Sequence, residues 1–323
     1  MEWIPDKFIE DNFDFAELRN ELKESFSKDD IECPPKSMFN YKAESTKEGN
    51  TLLFMPAWDN RNFMGAKILT ASPQNKVKNL PYLNGLYILF EAINGKPVAL
   101  MDGKIISNLR TAATSVLASS LLSKKNPETV LILGNGNLAP PYIKAYSQLS
   151  GIKEIFLWGR DYEKSEKTIR GLLPISRVKV KPVRKYKPMV REMDIISCIT
   201  SSRIPLIDYE DISHGQHFDL AGSYKEDMQE VSTDVVARCS VFTDNYDKTL
   251  ETAGELVKAF AEGKLKKEEI RGDLVFLCQS RKAVRSNDIE NTMFKCTGMA
   301  TEDLVIARMI FNKYKRKNQN QNQ

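Results

Sequence analysis

Residues 130–139, VLILGNGNLA, carry the most legible chemistry in the chain. An aliphatic run ends in Gly134-Asn135-Gly136-Asn137-Leu138-Ala139. A glycine turn between a strand and a helix cradles the pyrophosphate of a dinucleotide. Gly134 permits the tight turn, Gly136 lets backbone approach the phosphates, and Ala139 replaces a third glycine where helix and strand pack. Pro140 and Pro141 suit a first helical turn, whose N–H groups lack intrahelical partners. The next strand ends in Trp158-Gly159-Arg160-Asp161. An acid at a strand tip binds the ribose 2′-hydroxyl of NADH, whereas Arg160 suits the 2′-phosphate of NADPH. Lys164 and Lys167 are close enough in sequence to assist. NADPH is therefore favoured, and Asp161 keeps NADH open.

The elements that must position this turn follow from patterning. FAELRNELKESFSK places Phe15, Leu18, Leu22 and Phe26 at helical spacing. NTLLFMPAW, FMGAKILTA, GLYILFEAI and KPVALMDG read as strands, with Asn94-Gly95 as a hairpin turn between the last two. SNLRTAATSVLASSLL reads as a helix capped by Ser107 or Asn108 and stopped by Asn126-Pro127. That start puts Arg110 in the first turn, where the helix dipole favours anions. From TVLILG to CSVFTD strands and helices alternate, the rhythm of a parallel sheet. The expected fold is α/β: a Rossmann-type doubly wound parallel sheet over residues 123–298, plus an α+β domain from residues 1–122 and 299–323. The amphipathic TEDLVIARMIFNKYK is expected to return to that first domain.

Composition removes several classes. Hydrophobic residues at 41% and charged residues at 28% fit a soluble globular chain. The net charge of +4 is dispersed, so no nucleic-acid partner is expected. No apolar run approaches the ~18 residues of a membrane span, and the acidic start does not read as a signal peptide. Five scattered cysteines without CxxC point to reduced thiols in a cytoplasm. Two histidines, His214 and His217, without HExxH, give no metal site. His217 reads as structural. No GxSxG elbow is present for a serine hydrolase.

LLFMPAW, GAKILTASPQN, LNGLYILFEAINGKPVALMDG, NLRTAAT, VLILGNGNLA, FLWGR and MFKCTGMATEDL occur in an order that resembles the ornithine cyclodeaminase/mu-crystallin family across residues 34–307. The MPAW spelling is most similar to the branch that reduces cyclic ketimines. The resemblance implies that Lys67 and Arg110 are catalytic and hold the substrate carboxylate; an arginine can do so bidentately. It implies a further contact at Lys36, where the family often has arginine; lysine keeps the charge but loses the fork. It implies cofactor contacts from Thr111, Gly134, Asn135, Gly136, Asn137, Leu138, Ala139, Arg160, Thr200 and Gly222. The cyclodeaminase branch carries an acid just after the glycine that corresponds to Gly222. Here Gly222-Ser223-Tyr224 follows, with Tyr224 set toward substrate in place of the acid, and Asp227 and Glu230 come later.

The activity implied is NAD(P)H-dependent reduction of Δ1-pyrroline-2-carboxylate to L-proline, with Δ1-piperideine-2-carboxylate to L-pipecolate as a second reaction. The alternatives are an ornithine cyclodeaminase, an open-chain amino-acid or opine-type dehydrogenase, and a non-enzymatic NADPH-binding protein. Solvent, Lys67 and Tyr224 are all open as proton donor. A homodimer built on the sheet of the first domain, which would also bind substrate, is implied as well.

Overall fold

The computed structural model describes residues 1–42, 49–60, 62–78, 80–172 and 177–321. The chain opens with β1 (Glu2–Trp3), α1 (Asp6–Asp11), α2 (Phe15–Lys28), β2 (Ser37–Tyr41), β3 (Asn50–Trp58), β4 (Phe63–Ala71), β5 (Leu83–Glu91) and β6 (Pro97–Asp102). These strands form a sheet ordered β1-β6-β5-β4-β3-β2, antiparallel except for the short parallel β1–β6 pair. Asn94-Gly95 lies in the β5–β6 turn, with Gly95 at φ 69°. Alternation along β4 buries Gly65, Lys67, Leu69 and Ala71 on one face. Asp14 caps α2 by accepting the Glu17 N–H, and the helix buries Phe15, Leu18, Leu22 and Phe26. Each such side chain contributes about 1.5–3 kcal/mol.

The next helix, α3 (Gly103–Leu122), starts earlier than Ser107 or Asn108. The Asp102 carboxylate accepts the N–H groups of Lys104 at 2.7 Å and Ile105 at 2.9 Å, so the cap stands directly at the end of β6. Arg110 is consequently well inside the helix. The dipole argument does not reach it, because that effect fades within the first turn.

The chain continues through β7 (Thr129–Leu133), α4 (Ala139–Ser147), β8 (Glu154–Trp158), α5 (Tyr162–Arg170), β9 (Lys179–Val183), β10 (Ile195–Cys198), β11 (His217–Leu220), α6 (Thr233–Val236), β12 (Ser240–Thr243), α7 (Tyr246–Thr252), α8 (Gly254–Ala261), α9 (Leu274–Gln279) and β13 (Thr292–Lys295). All seven strands are parallel, in the order β12-β13-β11-β10-β7-β8-β9. This is a Rossmann-type doubly wound sheet. Its central strands β7, β8 and β10 read as mostly apolar runs because both faces are covered, whereas the edge strand β9, KVKPV, does not; Leu131, Leu133, Ile196, Cys198, Phe218 and Leu220 share one core. The order reverses between β7 and β10, which opens a crevice at the carboxyl ends of those strands. The last helix, α10 (Ala300–Gln321), packs on β3, β4 and α2.

The two compact units are Met1–Arg110 with Met299–Gln323, and Thr111–Gly298. Among the described residues no helix is long and apolar enough to cross a membrane.

Candidate active site

In the first unit Lys67 is 1% exposed and lies among apolar side chains of β4. Its Nζ is 2.8 Å from Asp303 Oδ1 and 2.7 Å from Oδ2. Arg110, from α3, donates through Nε to Asp303 Oδ1 at 3.0 Å and through Nη1 to Glu302 Oε2 at 2.5 Å. Both acids stand in the first turn of α10, where the helix dipole favours carboxylates. Two cations thus meet two anions, all buried. Burial pushes the Lys67 ammonium down to about 8; Asp303 opposes the shift and Arg110 adds to it. A lysine so poised can give or take a proton near neutral pH.

Glu302 and Asp303 are the residues that pattern reading misses. In ATEDL they look like ordinary helix-start acids. Lys36 belongs to the same unit, half-buried just before β2.

In the second unit Gly134 has φ 125°, a region open to glycine, and a Cβ there would lie 2.9 Å from the Ile199 carbonyl. That contact brings the turn after β7 against the end of β10, at the switch point. Gly136 is exposed with nothing within 4 Å of a built Cβ, so space for a phosphate stands over the backbone. Asn137 is exposed, Leu138 caps α4 and Ala139 is buried. These features fit a pyrophosphate at the start of α4. The side chain of Asn135 is engaged within the protein. Its Nδ2 donates to the Asp161 carbonyl at 2.7 Å and to Ser165 Oγ at 3.0 Å, which ties the turn to the β8–α5 connection. Asp161 caps α5 by accepting the Lys164 N–H at 3.0 Å, while Arg160 beside it is exposed. Thr111, on α3, is buried.

A second buried cluster lies at the ends of β10 and β11. Glu230 Oε1 accepts from Thr200 N–H at 2.6 Å and from its hydroxyl at 2.8 Å. Glu230 Oε2 accepts from the N–H groups of Gly222 at 2.9 Å and Ser223 at 3.1 Å. Glu255 accepts the Glu230 N–H at 2.7 Å and the Ser223 hydroxyl. Lys295 donates to Ser223 Oγ at 2.7 Å and pairs with Glu255 at 3.2 Å. Burial pushes Glu230 up to about 7; Lys295 opposes this and Glu255 adds to it. Thr200 and Gly222, two expected cofactor contacts, are therefore both tied to Glu230. Tyr224 follows, half-buried, and Asp227 pairs at the surface with Arg203 at 3.1 Å. His217 is fully buried, its Nδ1 is 2.9 Å from Thr292 Oγ1, and burial drives its pKa down to about 3, so it stays neutral.

The chain is similar to known proteins along most of its length. It is 35% identical to a Δ1-pyrroline-2-carboxylate reductase of Colwellia psychrerythraea, over 97% of this chain and 99% of that one. Its fold matches that of Thermococcus litoralis Δ1-pyrroline-2-carboxylate reductase in complex with NADH and L-proline, at TM-score 0.90 and 22% identity over 98% of each chain. It also matches an NAD-bound archaeal alanine dehydrogenase dimer, at TM-score 0.87 and 23% identity over 98% of this chain and 96% of that one. Residues 9–318 fit the sequence pattern of the ornithine cyclodeaminase/mu-crystallin family, and the chain belongs to that family.

Proposed function

We propose that this chain is an oxidoreductase that reduces cyclic ketimine carboxylates with a nicotinamide cofactor. Δ1-Pyrroline-2-carboxylate, giving L-proline, is the first substrate, and Δ1-piperideine-2-carboxylate, giving L-pipecolate, the second. One observation carries the reading: a buried lysine brought down to about 8 stands beside an arginine, both held by Asp303 and Glu302. The Colwellia relative and the Thermococcus complex support the choice of substrate.

Gly134, Gly136 and the start of α4 would hold the pyrophosphate. A bound reduced nicotinamide supplies the hydride for the C=N carbon. Arg110 binds the substrate carboxylate through its guanidinium, which Asp303 and Glu302 hold in place. Lys67 Nζ gives its proton to the imine nitrogen, which makes the carbon a better electrophile, and solvent restores that proton. Asp303 and Glu302 orient both cations before substrate arrives, so little reorganisation accompanies the reaction. Lyase chemistry is disfavoured because the stretch after β11 offers no placed acid: Glu230 is spent on backbone and Asp227 on Arg203.

NADPH is the favoured cofactor. Asp161 is engaged as a helix cap, which leaves Arg160 as the residue at the β8 end to meet a 2′-phosphate. The NADH of the Thermococcus complex keeps both cofactors within the reading. Two copies pair through the open face of the first unit's sheet. Phe39 is 58%, Phe54 38% and Leu86 40% exposed there, an apolar surface that water alone covers poorly. The matching alanine dehydrogenase is itself a dimer, which supports a pair of chains. None of the five cysteines forms a disulfide among the described residues, in keeping with a cytoplasmic enzyme.

The test follows NADPH absorbance with Δ1-pyrroline-2-carboxylate beside an ammonia assay with ornithine. Cofactor oxidation in step with imine, and no ammonia, is expected. No oxidation at millimolar imine would sink the reading, and ammonia release without net cofactor change would restore the cyclodeaminase.

A further inference from the structure

A hydroxyl in the first unit is buried without a protein partner. Tyr87 stands on β5 directly opposite Lys67 on β4. It is 1% exposed, and its Oη makes no hydrogen bond among the described residues. The ring leans along the buried face of β4 toward Gly65, where a Cβ would lie 2.2 Å from Tyr87 Oη. Gly65 is thus the gap that admits the phenol tip, two residues before Lys67 on the same face. A buried hydroxyl without a partner destabilises the fold. A phenylalanine would fill the ring's place without that cost.

We infer that Tyr87 Oη is a substrate ligand, donating a neutral hydrogen bond to the carboxylate that Arg110 binds, on the imine whose nitrogen Lys67 protonates. The inference rests on the reductase reading. The four-residue cluster beside it is already balanced in charge, so an incoming anion gains from a further donor. The imine nitrogen is the poorer acceptor, since it loses its lone pair once Lys67 has protonated it. Burial, reinforced by the charge of Asp303, holds the phenol well above its ordinary value. It therefore stays an O–H donor across the working pH range and is a poor source of protons.

Tyr87→Phe tests this with a probe that needs no turnover. Calorimetry with pyrrole-2-carboxylate, a planar analogue of the imine, should give a Kd raised roughly tenfold in the variant, the effect of losing one hydrogen bond to a charged group. KM for Δ1-pyrroline-2-carboxylate should rise by a similar factor with little change in kcat, and the melting temperature should not fall. Gly65→Ala, which displaces the phenol tip but keeps the hydroxyl, should weaken analogue binding as well. Equal analogue affinity in wild type and Tyr87→Phe overturns the inference, as does a variant that loses only thermal stability. A wild-type chain that binds the analogue but turns over no imine removes the reductase reading and leaves the Tyr87 comparison decided by the two affinities. A wild-type chain that does not bind the analogue overturns both.

Discussion

Each compact unit buries an ionic cluster, and the two are balanced differently. In the first, Lys67 and Arg110 face Asp303 and Glu302. In the second, Lys295 faces Glu255 while Glu230 adds another carboxylate. The imbalance shows in protonation: burial lowers Lys67 to about 8 in one cluster and raises Glu230 to about 7 in the other. The bonding differs too. The ion pairs of Lys67 and Arg110 run between side chains. Glu230 is spent on the backbone N–H groups of Thr200, Gly222 and Ser223. Carboxylates facing a cation can be joined or displaced by a substrate carboxylate, whereas a carboxylate fixed by backbone donors holds chain segments in place. The first cluster is suited to exchanging an anion and the second to keeping two strand ends still.

The largest effect that would break this contrast is expected from Arg110→Ala. The substitution takes a cation from beside the buried Glu302 and Asp303, a loss of about 3–5 kcal/mol in stability. Substrate KM should rise about a hundredfold or more while cofactor Kd holds, since a truncated buried charge contact costs about 2–5 kcal/mol. Thermal melts and steady-state kinetics measure both. Weakened cofactor binding with intact substrate affinity would reverse the assignment of the two clusters. Lys67→Met keeps the apolar stem and removes the proton, so kcat should fall about 10²–10⁴-fold. In the wild type, kcat/KM should decline as pH rises through about 8, where Nζ loses its proton. The stability sign is opposite. Between about 8 and the ordinary 10.5 the unfolded chain binds more protons at Lys67, so its contribution rises with pH there. The methionine variant should lack that slope.

The contrast is only half legible in the sequence. The glycine turn is legible because its chemistry is local: strand, glycines and helix lie within one stretch. The burial of Lys67 is not, since GAKILTA is apolar in both alternating registers and patterning does not choose a face. Its partners are further from reach. Asp303 lies over two hundred residues away, in a motif whose acids have an ordinary explanation as the start of a helix. The start of α3 misleads for a related reason. Ser107 and Asn108 are good caps by type, yet Asp102 at the end of β6 takes that role first. Glu230 stands away from the family's acid position, and its part emerges only when the ends of β10 and β11 are side by side.

Glu230→Gln sharpens the comparison from the second unit. The folded chain holds a proton on Glu230 up to about 7, against 4.5 in its ordinary state. Between those values the folded state binds more protons, so stability falls as pH rises. Glutamine should flatten that slope, by on the order of a few kcal/mol across the window. Urea denaturation at about pH 5 and about pH 7.5 reads it. Cofactor affinity should weaken several-fold as the Thr200 and Gly222 backbone loosens, while substrate-analogue affinity changes little. An unaltered slope would mean that Glu230 is not the surplus acid of its cluster.

The smallest effect belongs to Ser223→Ala. The hydroxyl accepts from Lys295 and donates to Glu255, so it bridges an ion pair that already stands at 3.2 Å. Alanine removes the bridge but leaves that pair, and it leaves the Ser223 N–H on Glu230. The cost should be about 1–3 kcal/mol, from polar groups left with fewer partners in a dry site. That corresponds to a melting temperature lower by a few degrees in a unit of this size. Because the backbone donors to Glu230 are untouched, the pH slope between about 4.5 and 7 should survive. Loss of that slope in Ser223→Ala would show that the hydroxyl, rather than the backbone, sets the proton affinity of Glu230. The second cluster would then depend on side chains as much as the first.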